Sequence, residues 1–469
     1  MIDLVRNVAF SIAFFGWLLS VDIVQAQPYQ PTWESLDSRP TPDWFADAKF
    51  GIFVHWGVYS VPSWAPVRQK DVPFWAQYAE WYWYRTRIPS DSISEHAPFI
   101  QYNQERYGKD HRYQDFAPQF TAEMFTPTDW ASLFKRAGAR YVVLTSKHHE
   151  GFCLWPSAYS WNWNSQDIGA HRDLAGDLSR AVKEAGLKMG FYYSLYEWFN
   201  PLYQNQVARY VDSHMLPQMK DLVTAYEPDI LWTDGEWEHP DTTWRSKEFL
   251  TWLFNESSVK DKIAVNDRWG EGSRLKHGGY YTTEYDELAG GNASVLDSHV
   301  WEECRGIGTS FGYNRNEQLE DYASSEALVH KLIQTVSQGG NLLLNVGPTA
   351  DGRIPVIMQQ RLSDIGEWLE VNGEAIYDSR KWEGARQAGT DSTIYYTRKG
   401  QDLYVISAGS AKHSIQIQGI KKPKSVRLLG TPQTISYQQN GKFLTAQLPA
   451  LPPHIASRYA RVLKLENAL

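Results

Sequence analysis

Short apolar runs alternate with longer amphipathic stretches along residues 50–346, and this alternation predicts strands that each feed a helix. The strand-like runs are Phe50–His55, Tyr141–Thr145, Lys188–Tyr193, Ile230–Asp234, Ile263–Asp267 and Leu342–Val346, with weaker ones at Tyr280–Glu284 and Val300–Glu302. Helical spacing of apolar residues follows at Trp130–Ala137, Leu174–Ala185, Val207–Ala225 and Glu326–Ser337, several of them closed by glycine. Continuous rather than alternating apolar strands are those of a parallel sheet covered on both faces. The pattern therefore predicts an α/β fold, a (β/α)8-type, TIM-like barrel. The irregular stretch 280–305 leaves room for one or two degenerate units.

Past residue 382 the period changes to two. Runs at Thr393–Thr397, Leu403–Ser407, Ser414–Gln418, Ser425–Leu429 and Ala460–Leu465, punctuated by Gly, Asn and Pro, read as a small antiparallel β-sandwich. Composition shifts at the same place. All 21 Trp lie at or before Trp382, and residues 383–469 hold twelve Lys and Arg against four Asp and Glu, a balance of +8 that leaves −15 for residues 27–382. Two coincident changes set the expected units at 27–378 for the barrel and 379–469 for the sandwich. The basic tail is expected to be a solvated structural sandwich packed on the barrel; a surface for anionic polysaccharide is the sharper alternative.

The first 26 residues read as an address. Arg6 precedes a 14-residue apolar run, Val8–Val21, shorter than the roughly 20 residues of a bilayer span. Val24-Gln-Ala26 then has the small-x-small form of a signal peptidase site. The expectation is a signal peptide over 1–26, cleavage after Ala26, and a periplasmic or secreted protein without stable membrane insertion.

Composition narrows the function classes. The chain has 469 residues, 42% of them hydrophobic and 14% aromatic, which excludes a disordered chain. Its net charge of −8 argues against a general nucleic-acid binder. Two cysteines, Cys153 and Cys304, cannot build a disulfide framework or a Cys-based zinc site; two buried thiols are expected, with a single disulfide as the alternative.

The chemistry gathers where the strands end. His55, Lys147-His148-His149-Glu150, Tyr193, Asp234, Asn266-Asp267-Arg268, Glu284 and Glu302 each close or follow an apolar run. In a (β/α)8 barrel those ends converge on one face, where the site lies. Tryptophans stand nearby at Trp56, Trp81, Trp83, Trp155, Trp232, Trp237, Trp269 and Trp301. Indole faces stack on the C–H faces of sugar rings, and carboxylates, imidazoles and guanidinium bind hydroxyls, so the set points to carbohydrate chemistry. The first strand lacks the His-x-His pair that metal-dependent barrel hydrolases use, and no ligand spacing completes a site, so neither a metal nor another cofactor is expected. Two carboxylates suffice for glycoside hydrolysis. Asp234, at the end of a clear strand and before Gly235, is the favoured first acid; a helix N-cap is its structural alternative.

These segments resemble the α-L-fucosidases of glycoside hydrolase family 29. The resemblance rests on Trp44–Gly57, Tyr78–Tyr82, Ala137–Phe152, Leu187–Ser194, Pro228–Gly235, Asn266–Trp269, Thr283–Tyr285, Trp301–Glu302, Arg305–Gly308, Ser310–Arg315 and Gly340–Pro348, in family order over residues 33–380. It implies a retaining exo-hydrolase of terminal α-L-fucose on fucosylated oligo- or polysaccharides. Asp234 falls on the nucleophile, which Arg268 helps keep ionised, and Glu284 on the acid/base, with Glu302 as the rival acid. His55, Glu80, Trp81, His148, His149, Tyr193, Trp232, Arg268 and Phe311 fall on the fucose pocket. The family often has Asp where this chain has Glu150. A transfucosylase on the same scaffold and a non-catalytic fucose-binding protein are the alternatives.

Overall fold

All eight expected barrel strands form, and they form one parallel sheet: β1 (Phe50–Val54), β2 (Tyr141–Lys147), β3 (Lys188–Ser194), β4 (Ile230–Asp234), β5 (Ala264–Val265), β6 (Tyr281–Glu284), β7 (Trp301–Gly306) and β8 (Asn341–Val346). Their order is β5-β4-β3-β2-β1-β8-β7-β6. The computed structural model describes residues 28–68, 72–87, 94–287, 293–384, 393–408, 414–432, 434–441, 443–449 and 459–469. The leader-like segment 1–26 and the expected new terminus at Gln27 lie outside the described residues. No helix of the described residues is long and apolar enough to cross a membrane.

The sheet curls around its own core. Side chains alternate along each strand. Phe53, Tyr141, Val143, Tyr192, Ile230, Trp232, Ala264, Cys304 and Leu343 pack together on the inside. Their neighbours Ile52, Val54, Val142, Leu144, Phe191, Tyr193, Leu231, Val265, Leu342 and Leu344 join the larger core that the helices cover. The irregularity seen in the sequence is a seam in the barrel. β5 and β6 share no ladder among the described residues. Instead Tyr280 N donates to Val265 O (3.0 Å) and Gly279 N to Asn266 O (3.1 Å), and a loop replaces the crossover helix.

Two barrel helices start on side-chain caps: Asp173 accepts from Gly176 N ahead of Leu174–Glu184, and Ser324 from Ala327 N ahead of Ser325–Ser337. The helix expected over Val207–Ala225 forms, helical without a break from Val207 to Tyr226, with a π turn at Val211–Met215 inside it. Pro217 has no N–H to donate and its ring crowds the preceding turn, which a wider turn relieves.

The tail forms antiparallel sheets. β9 (Arg380–Lys381), β10 (Ile394–Lys399), β11 (Asp402–Ala408), β13 (Ser425–Leu428) and β16 (Ala460–Glu466) make one, in the order β13-β16-β11-β10-β9. β12 (Ser414–Gln418), β15 (Phe443–Gln447) and β14 (Tyr437–Asn440) make the other. Leu403, Val405, Ile415, Ile417, Leu444 and Leu463 fill the space between them. The other face of the five-stranded sheet, Tyr404, Ile406, Ala460 and Val462, packs into the barrel's outer core. Part of the basic balance meets acidic residues around the junction: Lys464 lies on Glu374 and 3.1 Å from Asp402, and Lys399 lies 3.6 Å from Asp378. Cys153 and Cys304 are buried free thiols.

Candidate active site

The strand ends open into a cavity of about 470 Å³ lined by Phe53, His55, Trp75, Tyr78, Glu80, Trp81, His148, His149, Tyr192, Trp232, Asp234, Trp237, Arg268, Arg274, Glu284, Glu287, Cys304 and Phe311. Ten of the eleven residues expected as catalytic or sugar-binding are in that wall. Tyr193 is not.

Asp234 is the last residue of β4. Gly235 after it sits at φ +74°, and a Cβ there would stand 2.8 Å from the Tyr196 ring, so only glycine permits the turn. The next helix, Asp241–Trp244, is preceded by Pro240, so Asp234 is not a helix cap. Its Oδ1 accepts from Arg268 Nη1 at 2.7 Å and lies 3.7 Å from Arg274 Nη2; its Oδ2 accepts from Tyr192 OH at 2.9 Å. Burial by itself would raise its pKa, but the two guanidiniums outweigh burial and hold it well below the usual carboxylate range. Arg268, itself buried beside Trp232, reaches Glu284 Oε2 with its other terminal nitrogen at 3.4 Å. Glu284 Oε1 accepts from Tyr78 OH at 3.2 Å. One guanidinium thus ties the two carboxylates together.

The histidines are set as acceptors. Asn345 Nδ2 donates to Phe311 O (2.6 Å), so its Oδ1 accepts from His55 Nδ1 (2.7 Å) and Nε2 carries the free lone pair. Ser194 Oγ donates to Tyr196 O (2.6 Å) and accepts from His149 Nδ1 (2.7 Å), which leaves His149 Nε2 bare at 3.7 Å from Asp234 Oδ2. Burial, and then the neighbouring His148, keep both pKa values well below the ordinary histidine range, so both rings are neutral. β2 has ended at Lys147, which is why consecutive His148 and His149 both turn inward. Burial also pushes His148 down to about 3. Glu150 stands behind it, with Oε2 3.5 Å from His148 Nδ1, and burial raises that carboxyl to about 8. Glu80 accepts from Ser310 Oγ (3.0 Å) and Gly312 N (2.8 Å), and burial raises it to about 7.

Two expectations change. Tyr193 points away from the cavity: its hydroxyl donates to Gln218 Oε1 at 2.8 Å and Lys147 Nζ lies over its ring. Period-two alternation gives the pocket position to Tyr192. Glu302 is wholly buried and outside the cavity wall, where it accepts from Tyr141 OH (2.5 Å) and Trp232 Nε1 (2.9 Å). Among the tryptophans, Trp81, Trp232 and Trp237 line the cavity, whereas Trp56, Trp155, Trp269 and Trp301 are buried elsewhere and Trp83 stacks on Tyr113. Residues not foreseen are Phe53, Trp75, Tyr78, Tyr192, Arg274, Glu287 and Cys304. Phe53 and Cys304 each stand two places along a strand from an expected residue, His55 and Glu302, so the strand period carried their signal; Tyr192 is the immediate neighbour of the expected Tyr193, on the other face of β3.

The tyrosine pair makes a direct check. Tyr192→Phe removes a hydrogen bond to a buried carboxylate and is expected to lower kcat/KM about tenfold on the turnover assay. Tyr193→Phe is expected to stay within about twofold of the parent while lowering Tm by a few degrees. The reverse ranking would restore Tyr193 to the site.

A family model described as Alpha-L-fucosidase matches residues 18–374. The chain is 44% identical over 450 residues to the tissue alpha-L-fucosidase of Bos taurus, covering 93% of this chain and 91% of that one. It is 43% identical over 458 residues to the tissue alpha-L-fucosidase of Homo sapiens, covering 94% and 93%. Among solved structures it is similar to the Thermotoga maritima alpha-fucosidase in complex with a mechanism-based inhibitor, with a TM-score of 0.78, 39% identity, and 93% and 99% of the two chains covered.

Proposed function

The chain belongs to the alpha-L-fucosidase family, a family of glycoside hydrolases, and from that premise we propose that it releases terminal α-L-fucose by a retaining double displacement. Asp234 attacks the anomeric carbon while Glu284 protonates the departing glycosidic oxygen. A water deprotonated by Glu284 then attacks the fucosyl-Asp234 ester, so fucose leaves with its configuration kept. The observation that carries this reading is the Arg268 clamp, with one nitrogen on each carboxylate. Retention calls for carboxyl groups about 5–5.5 Å apart, and a shared guanidinium supports that closeness.

The unequal settings of the two acids support their roles. Asp234 is held ionised under two guanidiniums, as a nucleophile needs. Glu284 is the more open, its side chain 27% exposed against 11% for Asp234, which suits a group that meets the leaving oxygen and then water. The bare Nε2 atoms of His55 and His149 accept hydrogen bonds from sugar hydroxyls. Phe53, Trp232 and Phe311 offer the apolar wall that a C6 methyl requires. The leader-like residues 1–26 support export, with the catalytic unit over 27–378 and the sandwich over 379–469.

The purified protein is expected to release nitrophenol from 4-nitrophenyl α-L-fucoside and not from the α- or β-galactoside analogues. Release from a galactoside without release from the fucoside overturns the reading.

A further inference from the structure

The wall grades from buried to open: Phe53 and Trp232 are buried, the Asp234 side chain is 11% exposed and that of Glu284 27%. Trp237 and Trp75 are more open still, at 37% and 44%. Buried indoles are the rule in this chain; besides Trp161, these two are the only tryptophans among the large hydrophobics exposed in the described residues, and both belong to the cavity wall. An exposed indole in a cavity wall offers a flat apolar face that a ligand ring can cover.

The proton donor fixes which way a substrate points. A group that protonates the glycosidic oxygen stands between the sugar being cut and the group that leaves. Glu284 is the more open of the two acids, so the leaving group lies toward the open part of the wall, to which Trp75 and Trp237 belong. Neither indole is a loose flap. The Arg85 guanidinium lies 5.5 Å from the Trp75 ring centroid, and Arg85 is pinned 3.1 Å from Glu95. Trp237 sits edge-to-face against His149 (5.5 Å) and Tyr196 (5.8 Å). Glu287 shares the wall and supplies an acceptor for hydroxyls.

We propose that Trp75 and Trp237 form a leaving-group subsite that stacks a pyranose ring. The subsite rests on the hydrolase reading above and deepens it. An indole covers the C–H face of a pyranose, while Glu287 accepts from the hydroxyls at its edge. A fluoride leaving group reaches neither indole.

The test compares, on one preparation of each variant, kcat/KM for a fucosyl-pyranose disaccharide and for α-L-fucosyl fluoride. The ratio cancels the concentration of active enzyme, so partial misfolding does not mimic the effect. Trp75→Ala and Trp237→Ala are each expected to lower the disaccharide-to-fluoride ratio about tenfold, with Phe at either position recovering part of it. A ratio equal to the parent's in both variants overturns the subsite and leaves the hydrolase reading intact. A parent protein that cuts neither substrate overturns the hydrolase reading, and the subsite with it.

Discussion

Replacing Asp234 with glycine is expected to lower kcat on every fucoside by about 10⁴-fold or more, whatever the leaving group, because no covalent intermediate can form. The uniformity is the diagnostic part. A residue that only assists departure would spare substrates that depart easily; a nucleophile spares none. The deletion also opens a space in the cavity where a small anion fits beside Arg268 and Arg274, two cations left facing it. Azide in that space would attack the sugar from the side Asp234 used and give the fucosyl azide of inverted configuration. The variant should remain folded, since Asp234 closes a strand whose ladder with β3 is made by backbone groups, and a melting curve checks this. Turnover of an activated aryl fucoside within about tenfold of the parent would remove Asp234 from the role.

The barrel was readable because both faces of its strands are covered. Such strands appear as unbroken apolar runs, and all eight were legible, including the weak pair at the seam. The same rule explains what was missed in the tail. β14 and β15 carry Gln and Asn on their open face and β9 is two residues long, so neither length nor hydrophobicity marks them.

The site was legible where a strand end supplied it and illegible where a loop did. Asp234, Glu284, His55 and the His148-His149 pair follow apolar runs, and Arg268 closes one. Arg274 lies in the loop that replaces a crossover helix at the seam, eight residues past Asn266, with no period to place it opposite Asp234. Trp75 and Tyr78 lie in the long excursion between β1 and β2, whose 3-10 turns have no strand or helix repeat. The Tyr193 misplacement is of another kind: both tyrosines of the pair fit the motif, and only the phase of the strand decides which faces Asp234. The many tryptophans misled in the opposite direction. Indoles are the largest fillers a core has, and Trp56, Trp155, Trp269 and Trp301 fill it.

The two candidate acids separate by leaving group. General acid assistance contributes about 10²–10⁴-fold where the leaving oxygen needs a proton and far less where it does not. Glu284→Ala is therefore expected to lose about 10³-fold in kcat/KM on a fucosyl disaccharide and about tenfold or less in kcat/KM on a dinitrophenyl fucoside, whose kcat falls because deglycosylation, now without its base, becomes limiting. Azide should restore the second step without needing a base and give the fucosyl azide of retained configuration, the opposite stereochemistry to that from the Asp234 variant. Glu302 has no route to either effect. It lies outside the cavity wall with its oxygens engaged by Tyr141 and Trp232, and burial raises its carboxyl to about 7. Glu302→Ala would strand both donors in the barrel interior, at a cost of about 1–3 kcal/mol each. It is expected to lower Tm and to slow all substrates alike, with no response to azide. Glu302→Gln keeps the shape and an acceptor for one donor, and should recover most of both. Leaving-group dependence and azide rescue in the Glu302 variant, together with a Glu284 variant that still cuts disaccharides, would exchange the two assignments and require the wall of the cavity to open during turnover.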